Sequence, residues 1–246
     1  DRLLDIRGSA MKSLQQMYDE CNRIVFFGGA GVSTESGIPD FRSQDGLYSM
    51  KYKYPPEHIL SHSFFQTERE EFYRFYRDKI IHTEAKPNKA HIALAKLEEE
   101  GKLRAVITQN IDGLHQAAGS KKVLELHGSI QRNYCMKCRK AYTLNKIINS
   151  AGVPKCDECS GDIKPDVVLY EESLNNSILN ESIHFIKNAK MLIIGGTSLA
   201  VYPAAGLINY FTGKKLVLIN KTQTPMDSAA DMVLHGSIGE ILEKAV

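Results

Sequence analysis

Four cysteines arranged as two C-x-x-C pairs most constrain the fold of this 246-residue chain. Cys135 and Cys138 form the first pair, Cys156 and Cys159 form the second, and seventeen residues lie between the pairs. Each C-x-x-C turns back tightly enough to place two thiolates on one ion, and two such turns complete a tetrahedral zinc site without water. The pattern predicts one structural Zn2+ ion in a small ribbon inserted into a larger domain. Two disulfides or four unrelated thiols are the alternatives.

The composition is typical of a soluble globular protein. Hydrophobic residues make up 43% of the chain, charged residues 24%, and the formal net charge is +2. Because Lys and Arg are spread along the chain and mostly have acidic neighbours, we expect no direct binding to nucleic acid or to a membrane. No apolar run is long enough for a transmembrane helix and no signal peptide opens the chain, which predicts a cytoplasmic protein. Cys21 is interpreted as a free thiol, and residues 1–10 as a candidate tag.

Short apolar runs that alternate with loops or helical patterns predict the main sheet. These runs are Ile24–Phe27, Ala105–Ile107, Val123–Leu124, Val167–Leu169, Met191–Ile194 and Leu216–Ile219. Continuous apolar strands indicate a parallel sheet with helices on both faces, which is an α/β fold. Helices are predicted over Leu14–Cys21, over Glu68–His82, and from the capping residue Asn88 to Glu100. Ligands bind such sheets at the carboxyl ends of the strands.

A glycine-rich turn follows the first strand, with the sequence Gly28-Gly29-Ala30-Gly31-Val32-Ser33. Gly29 and Gly31 would let the backbone approach a pyrophosphate closely. The third glycine of the usual dinucleotide motif is absent, since Thr34 stands there, and this disfavours an ordinary dehydrogenase. A tight strand-to-helix turn would explain the glycines alone. It would not explain the polar continuation that ends in Asp40-Phe41-Arg42.

Polar residues also follow the later strands. Gln109, Asn110 and Asp112 come at the end of the second strand, where they would be costly to bury unless they bind a ligand. Their amide and carboxylate groups suit a ribose and a carboxamide. His127 follows another short strand, and by itself it is either a structural histidine or a general base. The segment Gly195–Leu199, rich in small and hydroxyl residues, suits phosphate or ribose binding.

Together these motifs resemble the sirtuin family of NAD-dependent protein deacylases, in its bacterial form. The resemblance runs from about Cys21 to the end of the chain. Besides the four cysteines, it is carried by Gly29–Ser33, Ser36–Arg42, Gln109–Asp112, Leu126–Gly128 and Gly196–Leu199. It implies a Rossmann-type domain formed by residues 11–45, 87–130 and 165–246. It also implies a small domain that combines a helical module, residues 46–86, with a zinc ribbon, residues 131–164.

The resemblance also implies roles for single residues. His127 would be the general base, and Asn110 would act at the ribose. The expected NAD contacts are Ala30, Thr34, Phe41, Arg42, Gln109, Ile111, Asp112, Thr197, Ser198, Asn220 and Ile238. The residues expected to bind the peptide are Val167, Val168, Tyr170 and Glu172. Cys135, Cys138, Cys156 and Cys159 would hold the zinc.

The implied activity is NAD-dependent deacetylation of protein lysines, which releases nicotinamide, O-acetyl-ADP-ribose and free lysine. The implied partners are acetyl-lysine proteins or peptides, with NAD as co-substrate. A mono-ADP-ribosyltransferase and a non-catalytic NAD- or ADP-ribose-binding module are the alternatives. Gly28 departs from a frequent Thr of the family, and Glu171 departs from a usual Gly beside the peptide strand. The segment Leu47–Tyr52 lacks the Tyr and Arg of sirtuins that prefer acidic acyl groups, so neutral acyl groups are expected.

Overall fold

The computed structural model describes residues 12–40 and 52–246. The expected NAD contacts Phe41 and Arg42, the candidate tag at residues 1–10, and most of the segment Leu47–Tyr52 lie outside these ranges.

Helices and strands alternate along most of the chain. Residues 12–19 form helix α1. The other α-helices are α2 (Pro56–Ile59), α3 (His62–Thr67), α4 (Arg69–Phe75), α5 (Lys89–Glu99), α6 (Leu114–Ala117), α7 (Leu144–Ile148), α8 (Asn176–Asn188) and α9 (Ile238–Ala245). The strands are β1 (Ile24–Gly28), β2 (Leu103–Thr108), β3 (Val123–Glu125), β4 (Gly128–Cys135), β5 (Ala141–Thr143), β6 (Ile163–Val167), β7 (Met191–Gly195), β8 (Lys215–Asn220) and β9 (Met232–His235). A π-helical turn (Tyr76–Ile80) continues α4, and 3-10 turns cover Ala30–Val32, Thr34–Ser36, Ala204–Tyr210 and Asp227–Ala229.

The three predicted helices are confirmed within one or two residues. The Asn88 side chain accepts a hydrogen bond from the backbone N–H of Ala90, and the backbone N–H of Asn88 donates to His91. These two bonds form a capping box that starts α5.

Within the described ranges, none of the helices combines the length and the apolar character needed to cross a bilayer.

Six strands form the main sheet in the order β3-β2-β1-β7-β8-β9, and every neighbouring pair is parallel. This order matches the 3-2-1-4-5-6 arrangement of the Rossmann fold. Successive side chains of β1 point to opposite faces: Phe26 packs into a core with α1, α5 and α9, and Phe27 into a core with α8. The predicted parallel sheet, covered on both faces, is confirmed.

A second sheet of three antiparallel strands, in the order β5-β4-β6, carries the ribbon. The prediction that Val167–Leu169 forms a strand of the main sheet is therefore wrong. β6 spans Ile163–Val167 and pairs with β4, with Cys135 opposite Ile163. Three apolar residues in a row show that a segment is buried, but they do not show which core buries it.

That core is shared by the helical module and the ribbon. Phe65, Phe72 and Tyr76 from the module pack with Ile163 and Leu169, and all five are at most 3% exposed. The Tyr73 hydroxyl donates to the carbonyl oxygen of Ile163, and Arg69 forms an ion pair with Asp162 at 2.6 Å. These contacts attach the helical module to the ribbon.

Candidate active site

A cavity of about 340 Å³ opens at the carboxyl ends of β1, β2 and β7. One wall comes from the loops after these strands, and the facing wall comes from α2, the π-helical turn and the segment after β6. The lining includes most of the residues expected to act on NAD or on the peptide, namely Ala30, Gln109, Asn110, Ile111, Asp112, His127, Val167, Val168, Tyr170, Glu172, Thr197 and Ser198. Ligand pockets of this size commonly lie between the parts of a fold. The cavity therefore brings both sets of predicted residues together.

Two glycine turns pack against each other at the floor of the cavity. The backbone N–H of Gly31 donates to the carbonyl oxygen of Gly196 at 2.8 Å. A Cβ atom on Gly31 would lie 2.8 Å from Gly196 Cα, and one on Gly196 would lie 2.4 Å from the backbone nitrogen of Val32. Gly196 also has a φ of +58°, which glycine adopts most easily. The two loops can approach this closely only because both positions are glycine.

A hydrogen-bonded network fixes Asp112 beside the first glycine turn. The Ser33 hydroxyl donates to Asp112 Oδ2 at 2.7 Å, and Asp112 Oδ1 accepts from the backbone N–H of Leu114 at 2.9 Å. The side-chain amide of Asn110 donates to the carbonyl oxygen of Gly29 at 3.0 Å and lies 3.3 Å from Ser33 Oγ. The Asp112 carboxylate is thus held in one orientation at the cavity wall.

Sequence reasoning did not assign a role to His91, which lies behind this network. Its Nδ1 accepts from the backbone N–H of Asn88, so the ring proton is on Nε2, 3.4 Å from Ser33 Oγ. Burial lowers the pKa of His91, which keeps the ring neutral. His115 packs edge to face against His91 with 4.8 Å between ring centroids, and burial lowers the pKa of His115 to about 3. The cue in the sequence was the position of His91 three residues after the helix cap.

His127 is held by the loop after β2. Its Nδ1 lies 2.9 Å from the carbonyl oxygen of Gln109. Because a carbonyl oxygen can only accept, Nδ1 carries the proton and Nε2 is the basic nitrogen of the neutral ring. The Gln109 side-chain amide donates to Thr197 Oγ1 at 3.1 Å, which links this loop to the one after β7. The backbone carbonyl of His127 accepts from Val168 at 2.9 Å.

Of the expected NAD contacts that the structure describes, three are not among the residues that line the cavity. Thr34 donates through its hydroxyl to the carbonyl oxygen of Gly31 at 3.2 Å. The Asn220 side chain donates to the carbonyl oxygen of Thr222 at 3.1 Å. Ile238 is 3% exposed and packs in the core that contains Phe26. Sequence reasoning also did not assign Leu60, Tyr76 and Ile80 to the site, although all three line the cavity from the helical module.

The four ribbon cysteines form one cluster, with all their sulfur atoms within 4.8 Å of one another. Cys135 and Cys159 are 3.4 Å apart, and Cys138 and Cys156 are 3.6 Å apart. These distances are too long for disulfides. Four sulfurs at about 2.3 Å from a tetrahedral zinc ion would be about 3.8 Å apart, so the cluster fits zinc. All four positions are taken by protein, which indicates a structural site.

Comparison with known proteins agrees with this geometry. Residues 29–203 match the Sir2 family. A protein from Clostridium acetobutylicum named NAD-dependent protein deacetylase is 59% identical over 239 residues, which cover 96% of this chain and 98% of that protein. One from Cutibacterium acnes with the same name is 50% identical, covering 94% and 95%. A solved structure described as "Sir2-p53 peptide-NAD+" has a TM-score of 0.83 at 43% identity and covers 95% of this chain and 96% of its own.

Proposed function

Because this chain belongs to the Sir2 family, we propose that it is an NAD-dependent protein-lysine deacetylase that releases nicotinamide, O-acetyl-ADP-ribose and free lysine. The observation that carries the proposal is the single cavity in which His127, Asn110 and Asp112 face the segment after β6. Deacetylase relatives of high identity support the same assignment.

The two glycine turns and the polar ends of β2 and β7 suit NAD. Ala30, Gln109, Thr197 and Ser198 would hold the dinucleotide at the packed turns. Asn110, Ile111 and Asp112 would hold the nicotinamide and its ribose, and Thr34, Phe41, Arg42, Asn220 and Ile238 stay predicted contacts. When bound, NAD supplies the ribose carbon that takes the acyl oxygen as nicotinamide leaves. Because hydrogen bonds already fix the Asp112 carboxylate, no free energy is spent on reorienting it when the ligand binds.

His127 is suited to act as the general base. The carbonyl oxygen of Gln109 keeps the proton on Nδ1, so Nε2 can take a proton from a ribose hydroxyl. His127 also connects the two halves of the site, because its backbone carbonyl holds Val168. The base is thus positioned by the same segment that would receive the peptide.

The acetyl-lysine peptide would lie along residues 167–172. Val167, Val168, Tyr170 and Glu172 line the cavity there, and the family resemblance implies these residues for peptide binding. Main-chain pairing with an extended peptide gives affinity with little side-chain selectivity. The zinc ion would hold the ribbon that ends in β6, and it would take no part in the chemistry.

We also propose the two-domain division predicted from the sequence, and a cytoplasmic location.

The rival functions are ADP-ribosyl transfer to protein and NAD binding without turnover. A second candidate is not favoured, because His127, Asn110 and Asp112 are all in place.

Mass spectrometry of products formed from NAD and an acetyl-lysine peptide tests the proposed activity. We expect free-lysine peptide and O-acetyl-ADP-ribose in equal amounts. Labelled ADP-ribose attached to protein, without deacetylated peptide, would identify a transferase. NAD binding without any product would identify a binding module.

A further inference from the structure

Two adjacent glutamates lie at the edge of the proposed peptide site, in a segment of residues 168–172 that we call the platform. Glu171 has a φ of +75°, a left-handed conformation that glycine adopts easily and that is strained for a glutamate. Strain of this kind persists only where surrounding contacts impose it. The contacts that impose it here come from the helical module.

The Glu171 carboxylate accepts two hydrogen bonds from one residue of α3. Oε2 accepts from the backbone N–H of Ser63 and Oε1 from its hydroxyl, both at 2.8 Å. These bonds lower the pKa of Glu171, which keeps the carboxylate charged. Hydrogen bonds to a charged acceptor are stronger than neutral ones. They offset the cost of the backbone conformation at Glu171.

The Glu172 carboxylate faces the opposite way, into the platform and β6. Oε2 accepts from the backbone N–H of Leu169 at 3.0 Å and lies 3.4 Å from Lys164 Nζ. Oε1 lies 3.0 Å from His62 Nδ1. The Lys164 side chain is only 9% exposed, and its ammonium also donates to the carbonyl oxygens of Pro165 and Val167. The buried ammonium therefore has an acceptor for each of its three protons.

Main-chain bonds complete the attachment. The backbone N–H of Tyr170 donates to the carbonyl oxygen of Leu60 at 3.0 Å, and the N–H of His62 donates back to Tyr170 at 2.9 Å. The platform is thus tied to the helical module on one side and to β6 on the other.

We propose that Glu171 and Glu172 are positioning residues, which hold the platform in the conformation that receives the acyl-lysine peptide. The proposal rests on the deacetylase function proposed above. A platform that is already ordered loses less conformational entropy when a peptide pairs with it. Glu172 then acts on the platform through Leu169 and Lys164.

Four variants test the proposal by steady-state kinetics and peptide titration. Glu171→Gly removes the two bonds to Ser63 and also removes the strain, so the fold should survive. Glu172→Gln and Lys164→Met break the second attachment, and Lys164 is not among the residues that line the cavity. Lys155→Met is the matched control, because Lys155 is another ribbon lysine with an ion pair, to Asp162, away from the platform.

We expect Glu171→Gly, Glu172→Gln and Lys164→Met each to raise the KM and the Kd for an acetyl-lysine peptide about three- to tenfold, with less than twofold change in the KM for NAD. The effects of Glu172→Gln and Lys164→Met on the KM and the Kd for the peptide should not add up in the double variant, because both changes break the same attachment. The control should match the wild type. A merely structural role would lower the unfolding midpoint and kcat and leave the KM for peptide unchanged.

Hydrogen exchange of the Leu169 and Tyr170 amides gives a readout that needs no turnover. We expect exchange at least about tenfold faster in Glu171→Gly and Glu172→Gln than in the wild type and in Lys155→Met. Unchanged exchange, or an unchanged Kd for peptide, overturns the positioning role. A wild-type enzyme that deacetylates no peptide overturns the proposed function instead, and the exchange rates still decide the role of the glutamates.

Discussion

The carbonyl oxygen of Gln109 fixes which nitrogen of His127 is basic, because it lies 2.9 Å from Nδ1 and can only accept a hydrogen bond. The contact joins the loop after β2 to His127, which lies between β3 and β4, and so it depends on the parallel pairing of β2 with β3. The fold of the sheet therefore determines which nitrogen of the His127 ring carries the proton.

Replacing His127 with Ala should abolish deacetylation and leave NAD binding and the fold intact. A general base typically contributes ~10²–10⁴-fold to the rate, so kcat should fall by at least a hundredfold. Single-turnover kinetics and NAD titration measure the two effects. The exposed His184→Ala serves as the control and should retain full activity. A loss below tenfold in His127→Ala would count against the base.

Replacing Asp112 with Asn should weaken inhibition by nicotinamide. The carboxylate is fixed by Ser33 and Leu114 at the cavity wall, and Asn offers only one acceptor oxygen where Asp112 offers two. Dose–response curves with nicotinamide give the change. Asp231→Asn is the matched control, because its carboxylate bonds the N–H of Leu216 at the far end of the sheet. Identical inhibition in Asp112→Asn and wild type would remove Asp112 from the nicotinamide pocket.

Metal analysis should find one zinc ion per chain. Cys156→Ala should lose the metal and unfold the ribbon, because metal binding and local folding are coupled. Activity should then fall through misfolding. Cys21→Ala, which changes a buried cysteine outside the cluster, should keep both zinc and activity. Active wild-type protein that contains no zinc would refute the assignment.

Acid should destabilise the protein partly through His115. The unfolded chain binds a proton there near pH 6.5 and the folded chain only near pH 3. Between these values the unfolded state holds more protons, so the free energy of unfolding falls as the pH falls, by up to about 1.4 kcal/mol per unit. Neither ring nitrogen has a partner among the described residues, so His115→Phe should keep the fold and flatten this dependence.

Denaturant unfolding at pH 7 and at pH 4.5 gives the change in unfolding free energy between the two pH values for each protein. The exposed His184→Gln variant should show the same change as the wild type. An equal change in His115→Phe and wild type would show that His115 does not titrate as its burial requires.

An acetyl-lysine peptide should be a better substrate than the matched succinyl peptide. A succinyl carboxylate needs a cation and a hydroxyl in the site to offset its desolvation. Tyr76 offers a buried hydroxyl, but none of the described residues that line the cavity is Lys or Arg. We expect at least roughly tenfold higher kcat/KM for acetyl, equivalent to about 1.4 kcal/mol. Equal or reversed values would place a cation, such as Arg42 or Lys51, at the acyl end.

Much of the main sheet could be predicted, since fully buried parallel strands are continuous apolar runs, as in β1 and β7. β9 was missed because Met232–His235 is only partly buried and shows no such run. The ribbon strands mix polar and apolar residues, and Lys164, Pro165 and Asp166 hide the nature of β6. Its pairing with β4 joins two separate segments of the chain, and local preference does not reveal such a pairing.

Residues that meet at the cavity could be predicted where one motif contains them, and not where contacts between distant segments bring them there. Asn110, Asp112 and His127 belong to compact motifs after strands. The position of His91 depends on Ser33, 58 residues away in the chain. The Glu171 departure was visible in the sequence, but its anchor Ser63 lies 108 residues away. The tertiary fold alone determines which residues so far apart in the sequence become buried together or form hydrogen bonds.

The aromatic core that the helical module shares with the ribbon also sets an order of events during synthesis. Phe65 and Phe72 meet Ile163 and Leu169, which the ribosome makes nearly a hundred residues later. At 5–20 residues per second this delay is on the order of ten seconds. Through that interval the apolar face of the module has no ribbon to pack on. The newly made chain should therefore be most open to aggregation and to chaperones before Leu169 emerges.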